Sequence, residues 1–163
     1  MEFKLGPHET LTQVSTDWDF SVDQNAEELE KEMIDFMLAN NGIGLAANQI
    51  GLAKNVFVLG SKNIQGYEPM AVFNPKILEV SKETELFKEG CLSYPDLWLT
   101  IKRPKAIIAE YQNSKGEVVT VEIDGLISRC FQHEFDHLKG ICFVDRVSQM
   151  KLQLAMKKIN KRK

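Results

Sequence analysis

Three cysteines, three histidines and five prolines are all that the 163 residues contain of these types. An odd cysteine number forbids a fully paired disulfide framework, and a chain of this length does not need one. A reducing compartment is expected, where a thiol packs, attacks or ligates. No run approaches the roughly 18 apolar residues of a membrane span. The start, MEFKLGPHETL, lacks the apolar stretch and small-residue cleavage site of a secretory leader, so a cytoplasmic location is expected. Positive charge is not in excess: the net charge of −3 argues against a whole-surface nucleic-acid binder, and neither a DNA nor a membrane partner is expected. There is no internal repeat and no low-complexity linker, so residues 1–163 read as a single domain, expected to be a monomer. What is there, 44% hydrophobic and 26% charged residues, suits an ordinary globular fold.

Leu29, Met33, Phe36 and Met37 recur at helical spacing opposite Glu27, Glu28, Lys31 and Glu32, predicting a helix over about 24–39. Ser21 with Gln24, or Asn25 with Glu28, offers a capping box at its start, and Asn40-Asn41-Gly42 offers left-handed residues at its end. From Asn55 to Ile123 the chain reads as β: NVFVL, MAVF, KILEV, KAIIAEYQ and EVVTVEI, the last two joined by a four-residue loop, Asn113–Gly116. Gly90–Asp96 reads as a turn or loop, and ICFV after Gly140 as a short strand. A second helix is predicted over about 124–139. A short C-terminal helix from Ser148 would carry its apolar face on Leu152, Ala155, Met156 and Ile159. The fold class is α+β, antiparallel-leaning β-sheets packed around the central 124–139 helix.

That central helix carries His133-Glu134-Phe135-Asp136-His137. Residues four apart on a helix lie one turn above each other, so both imidazoles can close on one metal ion with Glu134 beside them. The helix is otherwise strongly apolar, through Leu126, Ile127, Cys130, Phe131, Phe135 and Leu138. Polar groups buried there need partners, and a metal satisfies all three.

A catalytic metal needs a third protein ligand. No glutamate follows Glu134, no histidine follows His137, and the only carboxylate after His137 is Asp145. The remaining candidates are His8, Asp145, Cys91, Cys130 and Cys142. Cys130 is three residues before His133 and reads as a pocket-lining or packing thiol; Cys142, in ICFV, reads as core. Cys91 is favoured, because Glu89-Gly90-Cys91-Leu92-Ser93-Tyr94-Pro95 is a loop able to carry a thiolate to the helix. One thiolate and two imidazoles leave a tetrahedral position for water. A third cluster, Gly42–Gln49, sets an amide on a platform of small residues that permits close backbone approach. It lacks the Lys-Ser/Thr of a phosphate loop.

GIGLAANQ, EGCLSYP and QHEFDHLKG, in this order, resemble the three signature motifs of peptide deformylases. The resemblance covers nearly the whole chain. It implies a metal-dependent hydrolase that removes the N-formyl group from the formyl-methionine of nascent polypeptides and releases formate. It implies Cys91, His133 and His137 as ligands of one divalent ion, Fe²⁺ foremost, with Zn²⁺, Ni²⁺ or Co²⁺ as substitutes. It further implies Glu134 as the proton carrier, and Gln49 with the Leu92 N–H as donors to the oxyanion. Ile43 and Gly44 would pair with an extended peptide, and Leu92, Ile127, Cys130 and His133 would line the methionine pocket. Arg103 would support the cysteine loop by pairing with Glu89.

Tyr94 and Arg129 stand where many members carry aliphatic or apolar residues, and both are expected at the pocket rim. The basic tail, 148–163, ends in KLQLAMKKINKRK, with six basic residues and no acid. In the family such a tail can dock on the ribosome; a solvated helix end whose cations favour the dipole is the plainer reading. Three rivals stand beside the deformylase reading, and one of them, a catalytically dead relative that binds formylated or acetylated chain ends without cutting them, is opposed by the intact Glu134, Gln49 and three ligands. A peptidase with the same pentapeptide lacks a downstream third ligand here, and a structural metal domain would need four protein ligands.

Overall fold

A computed structural model describes residues 1–64 and 66–160. A short helix α1 (Glu9–Thr12), unforeseen in the sequence, opens the fold; its N-terminus is capped by His8, whose Nδ1 accepts from the Thr10 N–H at 3.2 Å. Helix α2 spans Ala26–Ala39, with Met33 and Met37 fully buried. Asn25 precedes it in a left-handed conformation and makes no side-chain cap bond, so neither expected capping box forms; Glu27 and Glu28 in the first turn face the helix dipole instead. At its other end Asn41 adopts φ of 56°, and the Gly42 N–H returns to the Met37 carbonyl at 2.9 Å.

A five-stranded antiparallel sheet follows, in the order β1 (Gly44–Ala46), β2 (Val56–Leu59), β3 (Met70–Val80), β6 (Ala106–Gln112), β7 (Val118–Asp124). β1 therefore lies at a sheet edge. MAVF and KILEV are one strand rather than two. It bends at irregular register between Phe73 and Lys76, where Asn74 takes φ of 50° and ties Trp18 to Gln112 through its amide. The β6–β7 turn holds five residues, 113–117, because Gln112 still pairs with Val118.

The remaining strands, β4 (Thr84–Cys91) and β5 (Tyr94–Pro104), form a separate hairpin. Gly90–Asp96 is thus mostly strand, with Leu92 and Ser93 as its turn. Pairing runs in one register from Thr84–Pro104 to Gly90–Trp98 and then jumps to Cys91–Tyr94, leaving Pro95, Asp96 and Leu97 bulged out of β5. Asp96 at φ of 64° makes that bulge possible.

Helix α3 (Gly125–Leu138) lies between the large sheet and the hairpin, so it is buried on nearly every side. Ile127, Phe131 and Leu138 join Phe57, Leu59 and Ile107 in one core cluster. Phe131 meets Phe57 edge to face with centroids 5.0 Å apart; burying each ring contributes roughly 2 kcal/mol. ICFV is not a strand: Cys142 is followed by a 3₁₀ turn at Phe143–Arg146, closed by the Asp145 carboxylate accepting the Cys142 N–H at 2.9 Å. Helix α4 (Gln149–Asn160) packs Leu152, Ala155 and Ile159 against Leu97, Leu99, Ile101 and Phe143. Met156 is 47% exposed, not on that face. Lys161, Arg162 and Lys163 lie outside the described residues. Among the described residues no helix is long and apolar enough to cross a membrane.

Candidate metal centre

α3 and the β4–β5 hairpin bring Cys91, His133 and His137 together, one ligand atom of each within 4.8 Å of the others. Cys91 Sγ lies 3.3 Å from His137 Nε2. The two imidazoles are 5.1 Å apart between centroids, as their one-turn spacing requires. The other candidates fall elsewhere: His8 caps α1, Asp145 closes the 3₁₀ turn and Cys142 is 2% exposed in the core. Cys130 lines the adjoining cavity and donates its S–H to the Ile43 carbonyl at 3.2 Å.

Behind the ligands stands a buried charge network that the sequence revealed only in part. His133 Nδ1–H donates to Glu89 Oε2 at 3.1 Å, which fixes the tautomer and turns Nε2 toward Cys91. Arg103 grips the same carboxylate with Nε at 2.7 Å and Nη2 at 3.0 Å, and reaches Asp136 with Nη1 at 2.7 Å. Arg129 adds a bond of 2.6 Å to Glu89 and holds the Ile101 and Glu85 carbonyls, so it ties α3 to the hairpin. It also lines the cavity, with the Phe87 ring 5.6 Å from its guanidinium. Arg146 completes the chain on Asp136. Arg103 at 4% exposure is a core residue, well removed from a surface salt bridge.

Burial raises the Glu134 carboxyl to about 7, against the lowering pull of His133 and Arg103. Its Oε2 is buried without a hydrogen-bond partner among the described residues. Burial also disfavours charge on His133, yet hydrogen bonds to Cys91 and Glu89, with Glu134 nearby, bring it to about 10. Burial and the neighbouring His133 and Arg103 charges push His137 well down, leaving a neutral imidazole. One neutral imidazole, and a second that attracts positive charge, beside a sulfur is a donor set that fits a divalent cation.

Gln49 is 1% exposed and fixed at both ends. Its Oε1 accepts the Ala46 N–H at 2.8 Å, so its NH₂ must face the site; there it donates to Ser93 Oγ at 3.0 Å and Cys91 Sγ at 3.4 Å. The 3₁₀ helix Ala47–Ile50 that carries it was not foreseen. Asn48, whose amide donates to the His137 carbonyl, and Ser93 were also missed; both sit inside the motifs, but polarity alone did not single them out.

Leu92, in the hairpin turn, lines a cavity of about 590 Å³ together with Ile43, Gly44, Cys130, His133 and Glu134. A Cβ on Gly44 would come within 2.3 Å of Glu134 Oε1 and 2.6 Å of Cys130 Sγ, so only glycine lets the edge strand approach the Glu134 carboxyl this closely. Ile127 is 3% exposed in the core beneath, and Leu126 takes its place on the wall. Phe87 and Trp98 extend the outer rim, while Phe3 and Leu5 of the N-terminal arm form another part of the wall.

The profile of the polypeptide deformylase family matches residues 2–153. A curated peptide deformylase of Thermotoga maritima is 44% identical over 137 residues, covering 84% of this chain and 81% of that protein. The crystal structure of a peptide deformylase from the same species superposes with a TM-score of 0.84 at 39% identity, covering 90% of this chain and 97% of that one. The peptide deformylase of Ehrlichia chaffeensis in complex with actinonin gives a TM-score of 0.87 at 36% identity, covering 100% and 97%.

Proposed function

Because this chain belongs to the peptide deformylase family, and its activity is that of a peptide deformylase, we propose that it removes the formyl group of formyl-methionyl nascent chains by the following division of labour. The observation that carries this reading is the Cys91, His133 and His137 cluster with the Glu134 carboxyl, its Oε2 unpartnered among the described residues, beside it in the cavity. Cys91, His133 and His137 would hold one divalent ion, Fe²⁺ foremost and Zn²⁺, Ni²⁺ or Co²⁺ in its place, which when bound would supply Lewis acidity to water in the cleft.

Glu134 takes a proton from a water in the cleft, and the water oxygen adds to the formyl carbon. The Gln49 amide and the Leu92 N–H donate to the oxyanion that develops. Glu134 then returns its proton to the departing nitrogen; the carbon–nitrogen bond breaks, leaving formate and a free amine. Ile43 and Gly44 offer an edge to which an extended peptide adds as a strand, which the position of β1 at the sheet margin supports. Cys130, His133 and Leu92, with Ile127 beneath, enclose the unbranched methionine side chain. A reducing cytoplasm suits a site whose function needs an unoxidised Cys91.

The decisive experiment measures formate release from a formyl-Met peptide by anaerobically purified protein, alongside bound metal. Cys91→Ala should lose both, while Cys130→Ala keeps the metal. Full metal occupancy and turnover in Cys91→Ala would overturn the assignment. Removing one oxyanion donor by Gln49→Leu should slow turnover about a hundredfold with the metal retained.

The basic tail is proposed to contact the ribosome through Lys151, Lys157 and Lys158 on α4. Deleting 151–163 would also strip Leu152, Ala155 and Ile159 from the core, so charge reversal of the three lysines is the cleaner variant. Co-sedimentation with ribosomes should fall while activity on a short peptide holds; unchanged co-sedimentation would remove the tail from this role.

A further inference from the structure

The arm ahead of α1 is bound to both loops that carry the oxyanion donors. The Lys4 N–H donates to the Gln49 carbonyl at 2.7 Å, and the Gly6 N–H to the Ser93 carbonyl at 2.8 Å. Gln49 Nε2 in turn donates to Ser93 Oγ at 3.0 Å. Arm, Gln49 loop and hairpin turn thus form a closed ring of hydrogen bonds around the place where Gln49 and Leu92 act together.

Tyr94 is wedged inside this ring. A Cβ on Gly6 would fall within 2.1 Å of the Tyr94 ring, so the arm runs directly over the aromatic face only because residue 6 has no side chain. On its other side the ring meets Phe143 at 5.6 Å between centroids, and Phe143 lies 5.7 Å from the His133 imidazole. Tyr94 is also the ladder partner of Cys91 across the bulged hairpin end. One residue therefore meets the arm and the aromatic stack behind His133 with its ring, and the Cys91 end of the turn with its backbone.

We propose that Tyr94 is a positioning residue: held between Gly6 and Phe143, it locks the arm to the Cys91–Ser93 turn and so sets the spacing between the Gln49 amide and the Leu92 N–H. The proposal rests on the deformylase reading of these two donors. Donors of this kind act only when aimed at the reacting oxygen, so a loosened turn lowers kcat more than it alters substrate binding.

The test compares Tyr94→Phe, Tyr94→Ala, Gly6→Ala and the double variant Gly6→Ala/Tyr94→Ala. Turnover of a formyl-Met peptide and bound metal are measured, together with hydrogen exchange at the residue 4 and residue 6 amides in metal-free protein. Tyr94→Phe keeps the ring and stays near wild type. Tyr94→Ala and Gly6→Ala each lower kcat about tenfold, with KM and metal content within about twofold, and both amides exchange faster. The double variant is no worse than the poorer single, because the new methyl occupies space the ring has left.

A loss confined to KM would mean that Tyr94 only lines the cleft, and a loss that tracks metal content would mean that it only supports the fold; either overturns the proposal. So would multiplying losses in the double variant. Gln49→Leu is run in parallel: full turnover there overturns the site reading and this proposal with it, whereas a crippled Gln49→Leu beside normal Tyr94→Ala and Gly6→Ala overturns this proposal alone.

Discussion

Glu134→Gln is expected to cut formate release by about a thousandfold or more while leaving the metal in place. The amide has the same shape in the space beside Gly44, where nothing larger than a hydrogen fits opposite Oε1. It cannot accept the proton that the proposed mechanism assigns to Glu134, and of the two other carboxyls lining the cavity among the described residues Asp96 is exposed on the β5 bulge and Glu89 has its oxygens bound to Arg103, Arg129 and His133. The same change carries a second signature. Burial lifts the Glu134 pKa from 4.5 to about 7, so the folded protein prefers the protonated carboxyl. The stabilisation of that acid form is fully present below pH 4.5 and is lost as pH rises through 7. Metal-free Glu134→Gln should therefore be more stable than metal-free wild type at pH 8, by on the order of 3 kcal/mol, and no more stable at pH 4. Denaturant titration of both proteins at the two pH values checks this; equal stability at pH 8 would contradict a strained carboxyl.

The second large effect falls on Arg103. Arg103→Met should cost about 3–5 kcal/mol of stability at pH 7, because it leaves Glu89 and Asp136 buried with part of their compensation gone. Burial alone would raise Glu89, but hydrogen bonds to His133 and Arg103 and the Arg103 charge hold it at about 2, below its ordinary 4.5. A depressed carboxylate stabilises the fold above pH 4.5 and loses that contribution as pH falls toward 2. The deficit of Arg103→Met should accordingly be widest near neutrality and narrow in acid, where the stranded carboxylates take up protons. Arg103→Met/Glu89→Gln should recover part of the loss, since one uncompensated charge is gone. Urea unfolding across pH 3–8 measures all of this, and a deficit that does not vary with pH would refute it.

Both predictions draw on residues with very different visibility in the sequence. Helices α2 and α3 were legible because their apolar residues repeat at the helical period, and the motif on α3 followed from spacing alone. The chain's three cysteines separated by local setting, and Cys91 lies where its Gly-flanked segment suggested. Short elements were not legible. The 3₁₀ turn at Phe143–Arg146 reads as a strand, because ICFV has the composition of one and the Cys142–Asp145 bond that closes it has no period to announce it. The Gly90–Asp96 segment reads as a loop because a bulge interrupts alternation where the ladder changes register. Arg129 gives no sign in sequence of joining Glu89, since that contact spans 40 residues and depends on the hairpin lying against α3. Long-range polar pairing is a property of the assembled layers, and only Arg103 with Glu89 was anticipated.

The three-residue edge strand beside Glu134 has a consequence for timing. Backbone pairing is indifferent to side chains, so a strip of this kind accepts many different polypeptides, provided that their first residues are extended and have free peptide groups. A terminus already folded into its own sheet or helix has spent those groups and cannot lie along the strip. On the proposed strand pairing, deformylation would be confined to the interval before the client's amino end folds. The enzyme would then compete with client folding, and slow-folding chains would give it the longer opportunity.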